Sequence, residues 1–87
     1  MISKTRPAFW RRYAGLADDV KARAKEAFRL FTRDPSHPSL HFKKLKGRED
    51  LWSARVSEQY RAVGVRHGEV IEWIWIGSHN DFDNQFS

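Results

Sequence analysis

The sequence predicts an α+β domain in which a helical hairpin packs on an antiparallel sheet of three to four strands. Two observations support this. Apolar residues recur at helical spacing in the first third of the chain, and three strand-like segments follow one another after residue 50 without an intervening helix. Consecutive strands pair antiparallel, and helices that precede them pack on one face of the sheet. The 87 residues suffice for one domain, which we assign to residues 1–87.

Composition narrows the possible functions. The chain has no cysteine, which excludes a disulfide framework, a thiolate metal site and a thiol nucleophile. A net charge of +5 favours a polyanionic partner, and on charge alone a nucleic acid and an acidic protein fit equally well. No apolar run near the N-terminus is long enough for a signal sequence or a membrane span. We therefore expect a cytoplasmic protein with no membrane partner.

Two helices are predicted before residue 35. The first begins at Pro7, which suits an initial helical turn, and ends before Gly15. The second covers residues 16 to about 31, has acidic residues near its N-terminal end and stops at Asp34-Pro35. Its apolar face consists of Leu16, Val20, Ala24, Ala27, Phe28 and Phe31. Residues 2–5 are short and polar, and the sequence leaves open whether they form an edge strand or fray.

The sheet is predicted in the second half of the chain. A turn-rich connector at residues 35–38 leads into a short extended run that contains Leu40, Phe42 and Leu45. The three main strands are residues 51–57, 60–66 and 69–77. Period-two alternation on the last strand places Trp73 and Trp75 on the same face, where we interpret them as core residues rather than a platform for bases.

Several polar residues are candidates for a functional site. Arg55 and Arg61 lie on neighbouring strands, where they either clamp a phosphate or lie on the solvated side of the sheet. His79 follows the last strand directly, so it is a candidate for proton transfer, although a structural histidine fits the same position. His37 and His41 are four residues apart, but Pro38 indicates a loop and no third ligand is evident. The sequence therefore predicts no metal site.

Four segments together resemble the RelE/ParE superfamily of bacterial toxins from toxin–antitoxin systems. They are His37-Pro38-Ser39-Leu40, Leu51-Trp52-Ser53-Ala54-Arg55-Val56, Tyr60-Arg61-Ala62 and Trp73-Ile74-Trp75-Ile76-Gly77-Ser78-His79. The resemblance covers nearly the whole chain and implies a microbial ribonuclease fold. RelE-like members of this superfamily cleave messenger RNA in the ribosomal A site, whereas ParE-like members poison DNA gyrase.

The resemblance also implies roles for individual residues. Arg61 matches an arginine that contacts the scissile phosphate, Arg55 matches a basic strand position of the same site, and His79 lies where active members have a basic or histidine residue. Flanking phosphates of the RNA would then contact Lys43, Lys44 and Lys46. Such a site requires neither a metal nor another cofactor.

The chain departs from the RelE-like pattern at its C-terminus. Several RelE-like enzymes have a tyrosine there, whereas this chain has Phe82 and Phe86, which cannot exchange a proton. By resemblance we expect a ribosome-dependent mRNA endoribonuclease whose partners are the ribosome, mRNA and a cognate antitoxin. Trp10, Trp73 and Trp75 are expected to offer apolar surface to that antitoxin. The alternative is a toxin that inhibits DNA gyrase, or a catalytically degenerate member that acts by protein binding.

Overall fold

A five-stranded mixed sheet forms the centre of the protein, in a computed structural model that describes residues 1–86. In chain order the elements are β1 (Ile2–Thr5), α1 (Pro7–Ala14), α2 (Asp18–Arg33), a 3₁₀ turn (Pro38–Leu40), β2 (Lys43–Lys44), β3 (Leu51–Ser57), β4 (Tyr60–His67), β5 (Val70–Ser78) and α3 (His79–Phe86). The strand order is β1-β5-β4-β3-β2, with β1 parallel to β5 and the other pairs antiparallel. The predicted α+β class is confirmed, with one strand more than expected.

Helices α1 and α2 cover one face of the sheet, as predicted. Phe9 on α1 and Phe31 on α2 are buried in a core with Trp73 and Ile76 of β5. Helix α2 ends at Arg33, and the side chain of Asp34 then accepts hydrogen bonds from the backbone N–H and the hydroxyl of Ser36. Within residues 1–86 no helix combines the length and apolar character needed to cross a bilayer.

The N-terminal segment, which the sequence left open, forms the edge strand β1. It pairs with the first half of β5, from Ile2 opposite Val70 to Thr5 opposite Trp73. The following residue, Arg6, forms an ion pair of 3.2 Å with Glu72 of β5. This ion pair fixes the position at which the chain leaves the sheet and enters α1.

Glu72 is expected to stabilise the fold in a pH-dependent way. The hydrogen bond from Arg6 holds the pKa of Glu72 below its ordinary value, although burial acts in the opposite direction. A carboxyl group whose pKa is lower in the folded chain contributes fully above its unfolded-state pKa, and the contribution is lost as the pH falls through the folded-state pKa. Glu72→Gln should therefore lower the Tm at neutral pH but not in strong acid.

Circular dichroism during thermal unfolding, repeated across this pH range, measures the effect. Glu69→Gln is the matched control, because Glu69 is exposed and makes no ion pair within residues 1–86. If the difference between Glu72→Gln and the unmodified protein persisted in strong acid, the ion pair would not be its cause.

A β-bulge in β5 changes which side chains share a face. Val63 of β4 lies opposite Trp75 and Gly64 lies opposite Trp73, so Ile74 is an extra residue on β5. Trp73 belongs to the core beneath α1 and α2, whereas Trp75 packs with Val63 in a second core on the opposite face. The predicted placement of both tryptophans on one face is therefore wrong, although both are buried as core residues.

The C-terminal tail forms helix α3, which the sequence reading did not predict. Ser78 caps the helix, because its hydroxyl accepts a hydrogen bond of 3.1 Å from the backbone N–H of Asp81. Phe82 and Phe86, one turn apart, pack against Trp75 with ring centroids 6.3 Å and 5.2 Å away. Helix α3 thus covers the sheet face opposite α1 and α2.

Candidate functional site

Two arginines face each other on the sheet face that carries α3. Arg55 of β3 and Arg61 of β4 are direct cross-strand partners. Burial lowers the pKa of Arg61, the charge of Arg55 lowers it further, and the carboxylate of Asp83 on α3 acts in the opposite direction. Like charges directly opposite in a sheet are unfavourable, so this pair concentrates positive charge where an anion would relieve the repulsion.

Arg61 has a structural role in addition to its charge. Its Nη1 donates hydrogen bonds to the carbonyl oxygens of Ser57 at 2.7 Å, Tyr60 at 3.0 Å and Glu58 at 3.3 Å. These bonds close the turn between β3 and β4. Within residues 1–86 neither arginine forms an ion pair, but only the side chain of Arg61 is held by hydrogen bonds, so the guanidinium of Arg55 is the more available of the two.

His79 lies at the junction between β5 and α3. Its backbone N–H donates a hydrogen bond of 2.6 Å to the carbonyl oxygen of Gln59, which extends the pairing of the β-hairpin. Its ring stacks on Phe82 with an interplanar angle of 19°, and its Nε2 lies 3.3 Å from Oδ2 of Asp83. The other ring nitrogen, Nδ1, is shielded from solvent and has no hydrogen-bond partner among the described residues. Only Nε2 can therefore reach a ligand, and Asp83 occupies it.

The three predicted RNA-binding lysines line a separate groove that adjoins this site. Lys43 and Lys44 form the edge strand β2, and Lys46 follows in the loop. The groove has a volume of about 620 Å³. The lysines and Arg48 form its cationic wall, Phe82 and Phe86 form its aromatic wall, and Leu45 and Gly47 complete the lining. Phe82 also stacks on His79, so its ring borders both the groove and the histidine. We call it the lysine groove.

The two histidines considered as metal ligands have other positions in the fold. Residues 1–86 contain no group of three or more His, Cys, Asp or Glu side chains that could hold a metal ion. His37, one of the two histidines considered for this role, accepts a hydrogen bond of 3.2 Å from the backbone N–H of Ser39 and thereby caps the 3₁₀ turn. His41 ends that turn in the left-handed conformation, at φ 44°.

Sequence reasoning missed the acidic and aromatic parts of the site. It named Arg55, Arg61 and His79, which the structure places on one face, but it did not predict that Asp83 would contact His79. The i, i+4 spacing of these two residues would have indicated the contact if the tail had been recognised as a helix. The serine before His79 is a helix N-cap signal that was available in the sequence.

Removal of the two arginines should affect stability differently. Arg61→Ala removes three hydrogen bonds to backbone carbonyls and should lower the free energy of unfolding by about 1–3 kcal/mol. Arg55→Ala removes no ion pair of the described chain and relieves repulsion, so it should change stability by less than about 0.5 kcal/mol. Urea denaturation followed by tryptophan fluorescence measures both. Equal losses for the two variants would contradict the structural role of Arg61.

Comparison with known proteins identifies the class of protein. A family model described as a ParE-like toxin domain matches residues 18–84. The chain therefore belongs to the ParE-like toxin family, within the RelE/ParE superfamily of toxin–antitoxin toxins. A comparison with curated protein sequences gives no match.

Solved structures of such toxins share the fold. The RelB–RelE antitoxin–toxin complex from Methanococcus jannaschii is similar with a TM-score of 0.77 and 16% identity, over 97% of this chain and 99% of that chain. The YafQ protein from E. coli is similar with a TM-score of 0.73 and 10% identity, over 92% and 94%. The YoeB/ParE toxin from Agrobacterium tumefaciens gives a TM-score of 0.69 and 22% identity, over 91% and 99%.

Proposed function

We propose that this toxin is a ribosome-dependent mRNA endoribonuclease that blocks translation. The observation that carries the proposal is that Asp83 links the three groups: it lies 3.3 Å from Nε2 of His79 and acts electrostatically on Arg61, the cross-strand partner of Arg55. The fold that the chain shares with RelE toxins supports it, because RelE-like members of the superfamily have this activity. Two cations and one titratable imidazole are the groups that cleavage of a phosphodiester requires.

The chemistry uses the 2′-hydroxyl of the RNA as the nucleophile. The 2′-oxygen attacks phosphorus, the bond from phosphorus to the 5′-oxygen breaks, and the products are a 2′,3′-cyclic phosphate and a 5′-hydroxyl. Arg55 and Arg61 neutralise the charge that develops on the phosphoryl oxygens. Nε2 of His79 either removes the proton of the 2′-hydroxyl or protonates the departing 5′-oxygen, and water carries out the other transfer. Either role requires that Asp83 release Nε2.

The lysine groove would hold the RNA next to the reacting nucleotide. Its lysines and Arg48 provide phosphate contacts, and Phe82 and Phe86 provide rings on which a base can stack. Its lining contains no acidic residue. The groove would therefore bind single-stranded RNA without depending on its sequence.

A cognate antitoxin is the second proposed partner. A mostly apolar groove of about 420 Å³ lies between β1, α1 and α2, and Trp10, Lys4, Lys25 and Arg29 are among its lining residues. Trp10 is 48% exposed, whereas Trp73 and Trp75 are 4% and 5% exposed. The prediction that all three tryptophans offer apolar surface to an antitoxin is therefore wrong for Trp73 and Trp75, which are buried. Trp10 does offer such surface. An acidic segment with an apolar anchor would fit this groove.

The cleavage proposal predicts an effect of His79. In a purified translation system, primer extension should reveal cuts at ribosome-occupied codons, and His79→Ala should slow cutting by about 10²-fold or more. Arg55→Ala should also slow it, because a cation near the phosphate is lost. Arg23→Ala on α2 is the control for loss of an exposed arginine and should cut normally. Intact mRNA, or inhibition of gyrase supercoiling with mRNA intact, would refute the proposal.

The antitoxin proposal predicts an effect of Trp10. A small acidic protein encoded beside the gene should co-purify with the toxin, and Trp10→Ala should weaken the complex by about tenfold or more, as loss of a buried aromatic anchor does. Ile2→Ala is the control, because Ile2 is 58% exposed but does not line the groove. Isothermal titration calorimetry measures the affinities. Equal affinity of both variants would place the antitoxin elsewhere.

A further inference from the structure

Asp83 introduces a carboxylate into the proposed phosphate site. Its Oδ2 lies 3.3 Å from Nε2 of His79, and its charge acts on Arg61 against the repulsion from Arg55. The same two residues are proposed to contact the scissile phosphate. A carboxylate and a phosphodiester are both anions that accept hydrogen bonds from guanidinium and imidazolium groups, so they would compete for these partners.

The geometry distinguishes two possible roles for Asp83. A carboxylate that orients a catalytic histidine binds one ring nitrogen and leaves the other directed at the substrate. Here the nitrogen that Asp83 leaves unoccupied is Nδ1, which is shielded from solvent, and the nitrogen that it contacts is Nε2. Asp83 therefore occupies the nitrogen that the substrate needs, which argues against an orienting role.

We propose that Asp83 is an internal competitor of the substrate phosphate, which must displace the carboxylate from Nε2 of His79 and replace its charge beside Arg61 in order to bind. The inference rests on the proposed function, because it assigns the phosphate to that site. It makes Asp83 a residue that limits the affinity of the toxin for RNA. The carboxylate is part of the toxin itself, so no other molecule has to remove it. Binding of the substrate phosphate is what displaces it.

The contact is weak enough for such displacement. The side chains of His79 and Asp83 are 45% and 50% exposed, and exposed ion pairs contribute little to stability. No residue of α3 is fully buried, and Phe82 and Phe86 hold the helix on the sheet mainly through Trp75. A change in the Asp83 side chain rotamer would release Nε2 while these aromatic contacts persist.

The test compares two isosteric substitutions on α3. Asp83→Asn and Asp81→Asn each remove one negative charge from the helix, but only Asp83 contacts His79. The probe is a fluorescein-labelled, single-stranded 2′-O-methyl RNA, which cannot be cleaved because its 2′-oxygen is blocked. In fluorescence anisotropy at fixed salt, Asp83→Asn should bind about two- to fivefold more tightly than Asp81→Asn. Equal or weaker binding would overturn the proposal.

A second measurement localises the effect. Inorganic phosphate, titrated into the full-length protein, should shift the ¹⁵N signals of the His79 ring at lower concentration in Asp83→Asn than in Asp81→Asn. The advantage of Asp83→Asn in RNA binding should largely disappear in a His79→Ala background, because the ring that the carboxylate contacts is then absent. If the advantage persisted there, a general charge effect would explain it. Near-ultraviolet circular dichroism of the tryptophans, among which Trp75 packs against α3, monitors whether the helix stays docked.

These results are separable from the cleavage experiment. Both binding measurements use probes that cannot react, so they test displacement of Asp83 independently of catalysis. If the unmodified protein and Asp83→Asn both left mRNA intact while Asp83→Asn bound the probe more tightly, the endoribonuclease proposal would fail and the competition would stand. If the unmodified protein cleaved mRNA and Asp83→Asn did not bind the probe more tightly, the endoribonuclease proposal would stand and the competition proposal would fail.

Discussion

The bulge at Ile74 is the local constraint on which both faces of the sheet depend. Without it, Trp73 and Trp75 would project to the same side, and one of the two cores would lose its largest side chain. Gly64, opposite the bulge, permits it, because a Cβ atom there would lie 2.7 Å from Cγ1 of Ile71. A single extra residue thus gives α1 and α2 one tryptophan and α3 the other.

The placement of the candidate cations follows from this two-sided sheet. Arg55 and Arg61 extend from the two strands on the face that α3 partly covers, and rigid strands hold side chains more accurately than loops do. The bonds from Arg61 to the β3–β4 turn limit its freedom further. The repulsion within the arginine pair therefore cannot be relieved by moving Arg61 away. It is relieved by movement of the less restrained Arg55, by the carboxylate of Asp83 or by a bound anion.

The sequence predicted the elements that have regular patterns. Helical spacing located α1 and α2 within two residues at each end, and β-branched and aromatic runs located β3, β4 and β5. Strict alternation failed beyond Ile74, since a bulge depends on the neighbouring strand and not on the periodicity of its own. Helix α3 was missed because its eight residues are mostly polar and its stability depends on packing against Trp75.

The candidate site was only partly predictable for a related reason. Resemblance indicated which cations to expect, but the contact between His79 and Asp83 exists only because α3 continues directly from β5 and brings residues four apart onto one face. The same helix places the ring of Phe82 against His79, in the tail where the resemblance to RelE-like enzymes led us to expect a tyrosine. A phenylalanine can position the imidazole but cannot share proton transfer with it. Of the two ring nitrogens of His79, only Nε2 is therefore open to acid–base chemistry, and it is the nitrogen that Asp83 contacts.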